Sequence, residues 1–246
     1  MGVVVNTNIS SISASRILSN NRSDLEQAME RLSSGKRINS AKDDAAGMAV
    51  AAKMRADVRS LNQAVRNTND AISLVNTYDG AASEIESILI RMRELAVQTK
   101  NGTYEAADRT NANYEYTALK TEIRRIANVT SFNRQLVGNA SADTTFNFYV
   151  GSDVTKGGNT IAFSAGFLDL NSSGASSLTT DSGSLKNILD ATSTTGASAA
   201  IVALDSAITS LAAKRSQAGA LVNRLEHTVA NLMNVSQRLT EAVSGI

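Results

Sequence analysis

The sequence predicts a mainly α fold: an elongated bundle of long, coiled-coil-like helices from both termini around a small middle region containing a β-hairpin. Three observations predict it. Apolar residues recur in steps of three and four between Ala51 and Ala96 and again between Ile201 and Val243, the period of a helical seam. Between these arms, from Gly138 to about Thr195, the period vanishes and Ser, Thr, Gly, Asn and Asp dominate. Aromatic residues make up only 4% of the chain, so small aliphatic side chains must do the packing, which favours close-packed helices over an aromatic-rich sheet.

The first helix is expected over Ile9 to Leu32, where Ile9, Ile12, Leu18, Leu25, Met29 and Leu32 follow helical spacing. Ser33-Ser34-Gly35 closes it, with Gly35 able to adopt the left-handed conformation and Lys36 and Arg37 near the negative helix end. Ser40 and Asp43 form an S-x-x-D box that opens a second helix running to about Lys100, roughly 85 Å at 1.5 Å per residue. Its seam reads Ala51, Met54, Val58, Leu61, Val65, Thr68, Ile72 and Val75, then Ala82, Ile85, Leu89, Met92 and Ala96. Asn101-Gly102-Thr103 is a turn signal, and Tyr116, Leu119, Ile123, Ile126 and Thr130 supply a third helix. Phe146–Val150 and Thr160–Phe163 read as strands flanking a Lys156-Gly157-Gly158-Asn159 turn. Asn171–Thr180 reads as a surface loop, and Leu168, Leu170, Leu178, Leu185, Ile188 and Leu189 give the middle something to pack with.

The last seam is Ile201, Leu204, Ile208, Leu211, Arg215, Ala218, Val222, Leu225, Val229, Leu232, Ser236, Leu239 and Val243, with His227 off it. Leu61, Ile72, Val75, Ile85, Leu204, Leu211, Leu225 and Leu232 are the expected buried contacts between two long helices that cover each other in a rod. Ile9, Ile12, Ile17 and Leu18 form a separate stripe, too narrow and short to be stable alone.

Composition excludes much chemistry. With no Cys there are no disulfides, thiolate nucleophiles or thiolate metal sites, and the single His227 cannot build a multi-His cage. Net charge is +1, from 24 basic against 23 acidic residues, which gives no bulk reason to expect nucleic acid. No apolar run approaches the ~20 residues of a membrane span, and the N-terminus has neither the charged nor the apolar region of a secretory signal. Asn6 occupies the Ser/Thr position of a myristoylation pattern. Gly151 to Gly157-Gly158 lacks the Lys-Ser/Thr of a phosphate loop, and no G-x-S-x-G, H-E-x-x-H or G-x-G-x-x-G occurs. Asp43 and Asp44 read as helix-start residues, and Arg91, Arg93 and Glu94 as a solvated face. The expectation is an assembling, non-enzymatic protein with no cofactor and no metal.

Asn6-Thr7-Asn8 and the run from Leu32 to Gly47 (LSSGKRINSAKDDAAG) closely resemble the N-terminal signature of bacterial flagellin. The similarity continues through Ile90–Gln98 and Thr130–Asn133 and resumes at Leu221–Thr228. The resemblance implies four regions: 1–43, a filament-core helix and spoke; 44–138, N-terminal rod helices; 139–195, a variable surface region; 196–246, a C-terminal rod helix. It further implies an extracellular subunit of the bacterial flagellum, a homopolymer partner to its own copies, exported by the flagellar type III apparatus and added beneath a cap. The absence of Cys suits such a route. In the family the Arg-x-Arg-Glu-Leu face is sensed by a flagellin-specific Toll-like receptor of innate immunity and contributes to subunit packing; the matching residues are Arg91, Leu95 and Glu115. Here the resemblance displaces the solvated-face reading, because these side chains lie off the seam yet available to a partner.

Two departures stand out. Arg134 occupies a position where the family generally has Gly, in a tight turn. Family members also usually continue past Ser244-Gly245-Ile246 into another apolar helix; the expectation is that the helix pairing with Ile9 to Leu32 is missing, leaving the chain monomeric, mobile before about Leu25, and unable to build normal filaments alone. The rival readings are a hook–filament junction protein, which would match Arg91–Gln98 less fully, and a cell-surface flagellin-like binding protein, for which the middle offers no apolar pocket.

Overall fold

A computed structural model describes residues 8–138, 145–151, 158–165 and 194–245. Among the described residues four helices and four short strands follow in the order α1 (Ile9–Ser34), α2 (Ala45–Lys100), α3 (Ala106–Val129), β1 (Ser131–Phe132), β2 (Gln135–Leu136), β3 (Thr145–Tyr149), β4 (Thr160–Ser164) and α4 (Thr194–Gly245). The chain divides into two compact units, Met1–Arg59 with Val235–Ile246, and Ser60–Asn234. Lys156 and Gly157 of the expected turn, the Asn171–Thr180 loop and the leucines and Ile188 between Leu168 and Leu189 lie outside the described residues.

In the first unit, α1 starts where the Asn8 side chain accepts the Ser11 N–H at 3.1 Å, a cap that the apolar spacing did not mark. It stops at Gly35, whose N–H makes the last helical bond to the Arg31 carbonyl at 2.9 Å and whose φ of 64° then turns the chain out of the helix. The expected S-x-x-D box needs correction. Ser40 gives its backbone N–H and its hydroxyl to Asp43 Oδ2, so this pair closes a turn before the helix. Asp44 caps α2 instead, accepting the Gly47 N–H at 2.8 Å.

The second unit is built on the seam, which is more regular than the large aliphatic residues alone suggest. Buried positions on α2 run Leu61, Ala64, Thr68, Ala71, Val75, Tyr78, Ala82, Ile85, Leu89, Met92, Ala96 and Thr99, alternating three and four without a break. Ile72, expected inside, is only half-buried, because its neighbour Ala71 takes the inward position. Val65 yields to Ala64 in the same way, and Tyr78 fills the apparent gap between Val75 and Ala82. On α4 the pattern repeats: Ala200 and Ala207 turn inward with Leu204 and Leu211, while Ile201 and Ile208 are half-buried. Alanines at these places let two helix backbones approach closely. Thr68 and Thr99 satisfy their buried hydroxyls on the preceding turn, donating to Ala64 O and Leu95 O.

The third helix begins at Ala106, soon after the Asn101-Gly102-Thr103 turn and ten residues before its first patterned residue Tyr116, with the Glu105 N–H held by the Asp108 carboxylate at 3.3 Å. Tyr116, Ile123 and Ala127 bring it into the core formed by α2 and α4. Ion pairs tie α2 to α4 at two heights: Arg93 Nε donates to Asp205 Oδ1 at 2.5 Å, and Arg215 donates to Asp79 at 2.8 Å and to Glu86. Arg215, placed on the seam by its spacing, thus sits at its edge with its guanidinium held above its usual pKa by the hydrogen bonds it donates to Asp79 and Glu86. Gly196–Gly245 is long and apolar enough by length and composition to cross a membrane, contrary to the expectation that no segment is; its Leu204, Leu211 and Leu225 are fully buried in the packed cores.

The two hairpins fold against these helices. β3 and β4 pair antiparallel with Phe146 opposite Phe163 and Phe148 opposite Ile161, as the alternation predicts. Phe163 meets Tyr78 edge-on, ring centroids 5.2 Å apart. β1 and β2 are joined through Asn133 and Arg134, both with positive φ, 49° and 65°. This is the type I′ geometry in which Asn-Gly is the favoured pair. The turn therefore forms without its glycine, at the cost of an arginine in the left-handed region. Arg134→Gly is expected to raise stability by about 1 kcal/mol, read as a higher thermal midpoint by circular dichroism. An unchanged or lower midpoint would show that the arginine is unstrained there.

Candidate assembly site

No residue of α1 is buried. Ile9, Ile12, Ile17 and Leu18 are all more than half exposed, and so are Leu25, Met29 and Leu32, which is 81% exposed. An amphipathic helix with its whole apolar stripe in water is an unfinished element, since packing supplies most of a helix's stability. The stripe therefore lacks a cover within the described residues.

The loop after α1 is ordered around one carboxylate. Asp43, 8% exposed in its side chain, accepts from Gln27 at 2.5 Å and from the Asn39 and Ser40 N–H groups at 3.2 and 3.1 Å, with Arg31 at 3.8 Å. The Ser40 backbone bond, then Gln27 and Asn39, hold this carboxyl below its ordinary pKa. Gly47 leaves room for the cap: a Cβ there would lie 2.4 Å from the Asp44 carboxylate and 2.8 Å from the Ile38 side chain, so either would have to move.

On the second unit, Arg91 Nε donates to Glu115 Oε1 on α3 at 2.9 Å and Nη1 to Glu94 Oε2 at 3.0 Å. Those hydrogen bonds, Glu115 first, hold the Arg91 pKa above its usual range. Arg91, Glu94 and Glu115 all stay exposed to solvent. Leu95 does not join them. It is 3% exposed and belongs to the core, so the expectation that it is available to a partner is corrected. The reason is that α2 is covered on two sides, by α4 along the seam and by α3 beside it.

Apart from Ile72, the expected seam contacts fall inside: Val75, Ile85, Leu204, Leu211 and Leu225 are fully buried, and Leu61 and Leu232 nearly so. His227 is exposed on α4. Two grooves flank the β3–β4 hairpin, of about 290 and 600 Å3. Asp70 is the one carboxylate lining either, and no His lines them. Among the described residues no group of three His, Cys, Asp or Glu is placed to hold a metal ion.

Long heptad helices from both arms, an uncovered apolar helix and ion-paired flanks are the geometry of a protein that works by contact with others. Residues 5–139 match the bacterial flagellin N-terminal helical region, and residues 201–246 the bacterial flagellin C-terminal helical region. The chain belongs to the bacterial flagellin family. A flagellin of Halalkalibacterium halodurans is 42% identical over 244 residues, 99% of this chain and 85% of that protein. The flagellar filament 41 kDa core protein of Borreliella burgdorferi is 47% identical over 141 residues, 57% of this chain and 42% of its own length. The crystal structure of Bacillus cereus flagellin superposes with a TM-score of 0.56 at 35% identity, covering 68% of this chain and 88% of that one. Within the flagellin match, the loop organised by Asp43, the Arg91 cluster and the β1–β2 turn all lie in the N-terminal region, and most of α4 lies in the C-terminal one. Residues 140–200 fall between the two matches.

Proposed function

We propose that this chain is the repeating subunit of a bacterial flagellar filament, an extracellular structural protein that polymerises with its own copies through α1. The observation that carries the reading is the apolar stripe of a 26-residue helix, more than half exposed at every position and with no buried residue, in a chain of flagellin lineage. Exposed apolar surface of that extent marks an interaction site. Export through the flagellar type III apparatus and addition beneath a cap accompany the reading, and a chain without Cys is suited to both. The protein is an assembly component and catalyses no reaction. The exposed Arg91–Glu115 pair is the surface available to a neighbouring subunit or to a Toll-like receptor of an animal host, with Leu95 supporting it from beneath.

The test is a double substitution, Leu18→Asp with Leu25→Asp, in the bacterium that makes the protein. Filaments should disappear from negative-stain micrographs while the variant accumulates in the culture medium. Filaments of normal length and number would overturn the role given to α1.

A further inference from the structure

Between the loop after α1, one face of α2 and the last turns of α4 lies a cleft of about 660 Å3, wholly within the first unit. Lys36 and Arg37 from the loop and Arg55 and Arg59 from α2 line it, and no carboxylate does. Arg55 and Arg59, four residues apart, are neighbours on one helix face. Elsewhere arginines of this chain have found acids: Arg22 pairs with Glu26, Arg31 with Asp43, Arg125 with Glu122. Lys36, Arg55 and Arg59 have no ion-pair partner among the described residues. Asp57, between Arg55 and Arg59 in sequence, does not line the cleft, while Asp43 and Asp44 beside the loop are engaged by its own donors and by the Gly47 N–H.

A second observation points the same way. Asn39 lines the cleft, and its Nδ2 is buried without an acceptor. Buried N–H groups without a partner are costly and uncommon, so the position is short of an acceptor as well as of negative charge. A ligand rich in anionic oxygens supplies both.

We propose that this cleft binds a ligand with two linked oxyanion groups, of the diphosphate class. Lys36 on the loop and the Arg55–Arg59 pair on α2 come from two elements, so a doubly anionic ligand can engage both where a single tetrahedral ion cannot. Guanidinium groups suit this chemistry because their planar donors match phosphate oxygens two at a time. Ile38, Met48, Ala51 and Val243 add an apolar wall, so inorganic diphosphate and the diphosphate of a nucleoside share the recognition chemistry.

Isothermal titration calorimetry on the full chain at fixed ionic strength tests it, with inorganic phosphate, inorganic diphosphate and a nucleoside diphosphate as probes. Diphosphate should bind at least about tenfold more tightly than phosphate, the worth of one further charge-assisted hydrogen bond. Arg55→Gln with Arg59→Gln should weaken it by about a hundredfold, and Asn39→Ala by a smaller factor. Arg124→Gln with Arg224→Gln removes the same net charge away from the cleft and should leave binding within about twofold. A nucleoside diphosphate that exceeds inorganic diphosphate assigns the apolar wall to an organic group; one that is weaker assigns the site to the free anion, and either supports the site. Equal affinity for phosphate and diphosphate, no binding at all, or equal losses in the two double variants would overturn it.

Discussion

Tyr78→Ala is expected to cause the largest loss of stability of any single substitution in this chain, about 3–5 kcal/mol. The ring is fully buried in the middle of the α2 seam and meets Phe163 edge-on at 5.2 Å. Its removal opens a cavity where helix and hairpin join, and neither can collapse into it without leaving the other. Burial drives the phenol's pKa far up, so the side chain stays neutral throughout the ordinary pH range. A double-mutant cycle with Phe163→Leu separates ring contact from cavity: the coupling should be about 0.5–1.5 kcal/mol. Additive losses would mean that the two rings merely share a core.

The second large effect is at Leu225, fully buried with Ala71, Val150 and Ile161 where α4, α2 and the hairpin meet. Leu225→Ala should cost about 2–5 kcal/mol in urea unfolding, with Leu61→Ala and Leu232→Ala close behind. Ile72→Ala should cost clearly less, about 1 kcal/mol, because that side chain is only partly buried. His227→Ala should fall within about 0.5 kcal/mol of the parent. Equal small losses at all five positions would show that the inward face of the helices is another one.

The sequence announced the helices because their period is long and uninterrupted, and it announced the β3–β4 strands because alternation and turn residues coincide there. It misplaced individual positions for a steric reason. At a close helix–helix contact the inward residue is the small one, so Ala64, Ala71, Ala200 and Ala207 are buried while the larger Val65, Ile72, Ile201 and Ile208 sit at the margin. Tyr78 escaped because a phenol reads as half polar, although its ring fills the seam. Leu95 was misjudged because periodicity reports one face, and α2 is covered on two. The apolar stripe of α1 was legible from spacing, whereas its lack of a cover was expected only from the flagellin resemblance, since a pattern cannot say whether a partner exists. The basic cleft was beyond reach of any local motif: Lys36, Arg37, Arg55 and Arg59 converge only after the loop folds back on α2.

The ion pairs between α2 and α4 resolve an ambiguity that the seam itself creates. A strict heptad looks the same to its partner after a slide of seven residues, about 10 Å along the axis. Leucines and alanines would meet leucines and alanines again, and hydrophobic burial alone would barely distinguish the two arrangements. Arg215 breaks the degeneracy. Shift α4 by one heptad and Ile208 or Val222 faces Asp79 and Glu86, leaving two carboxylates against an aliphatic side chain with no cation between them. Arg93 and Asp205 would part at the same time. Such half-exposed pairs add little to overall stability, but their loss on sliding is concerted, so they act as a vernier that admits one alignment of the two helices and rejects its neighbours.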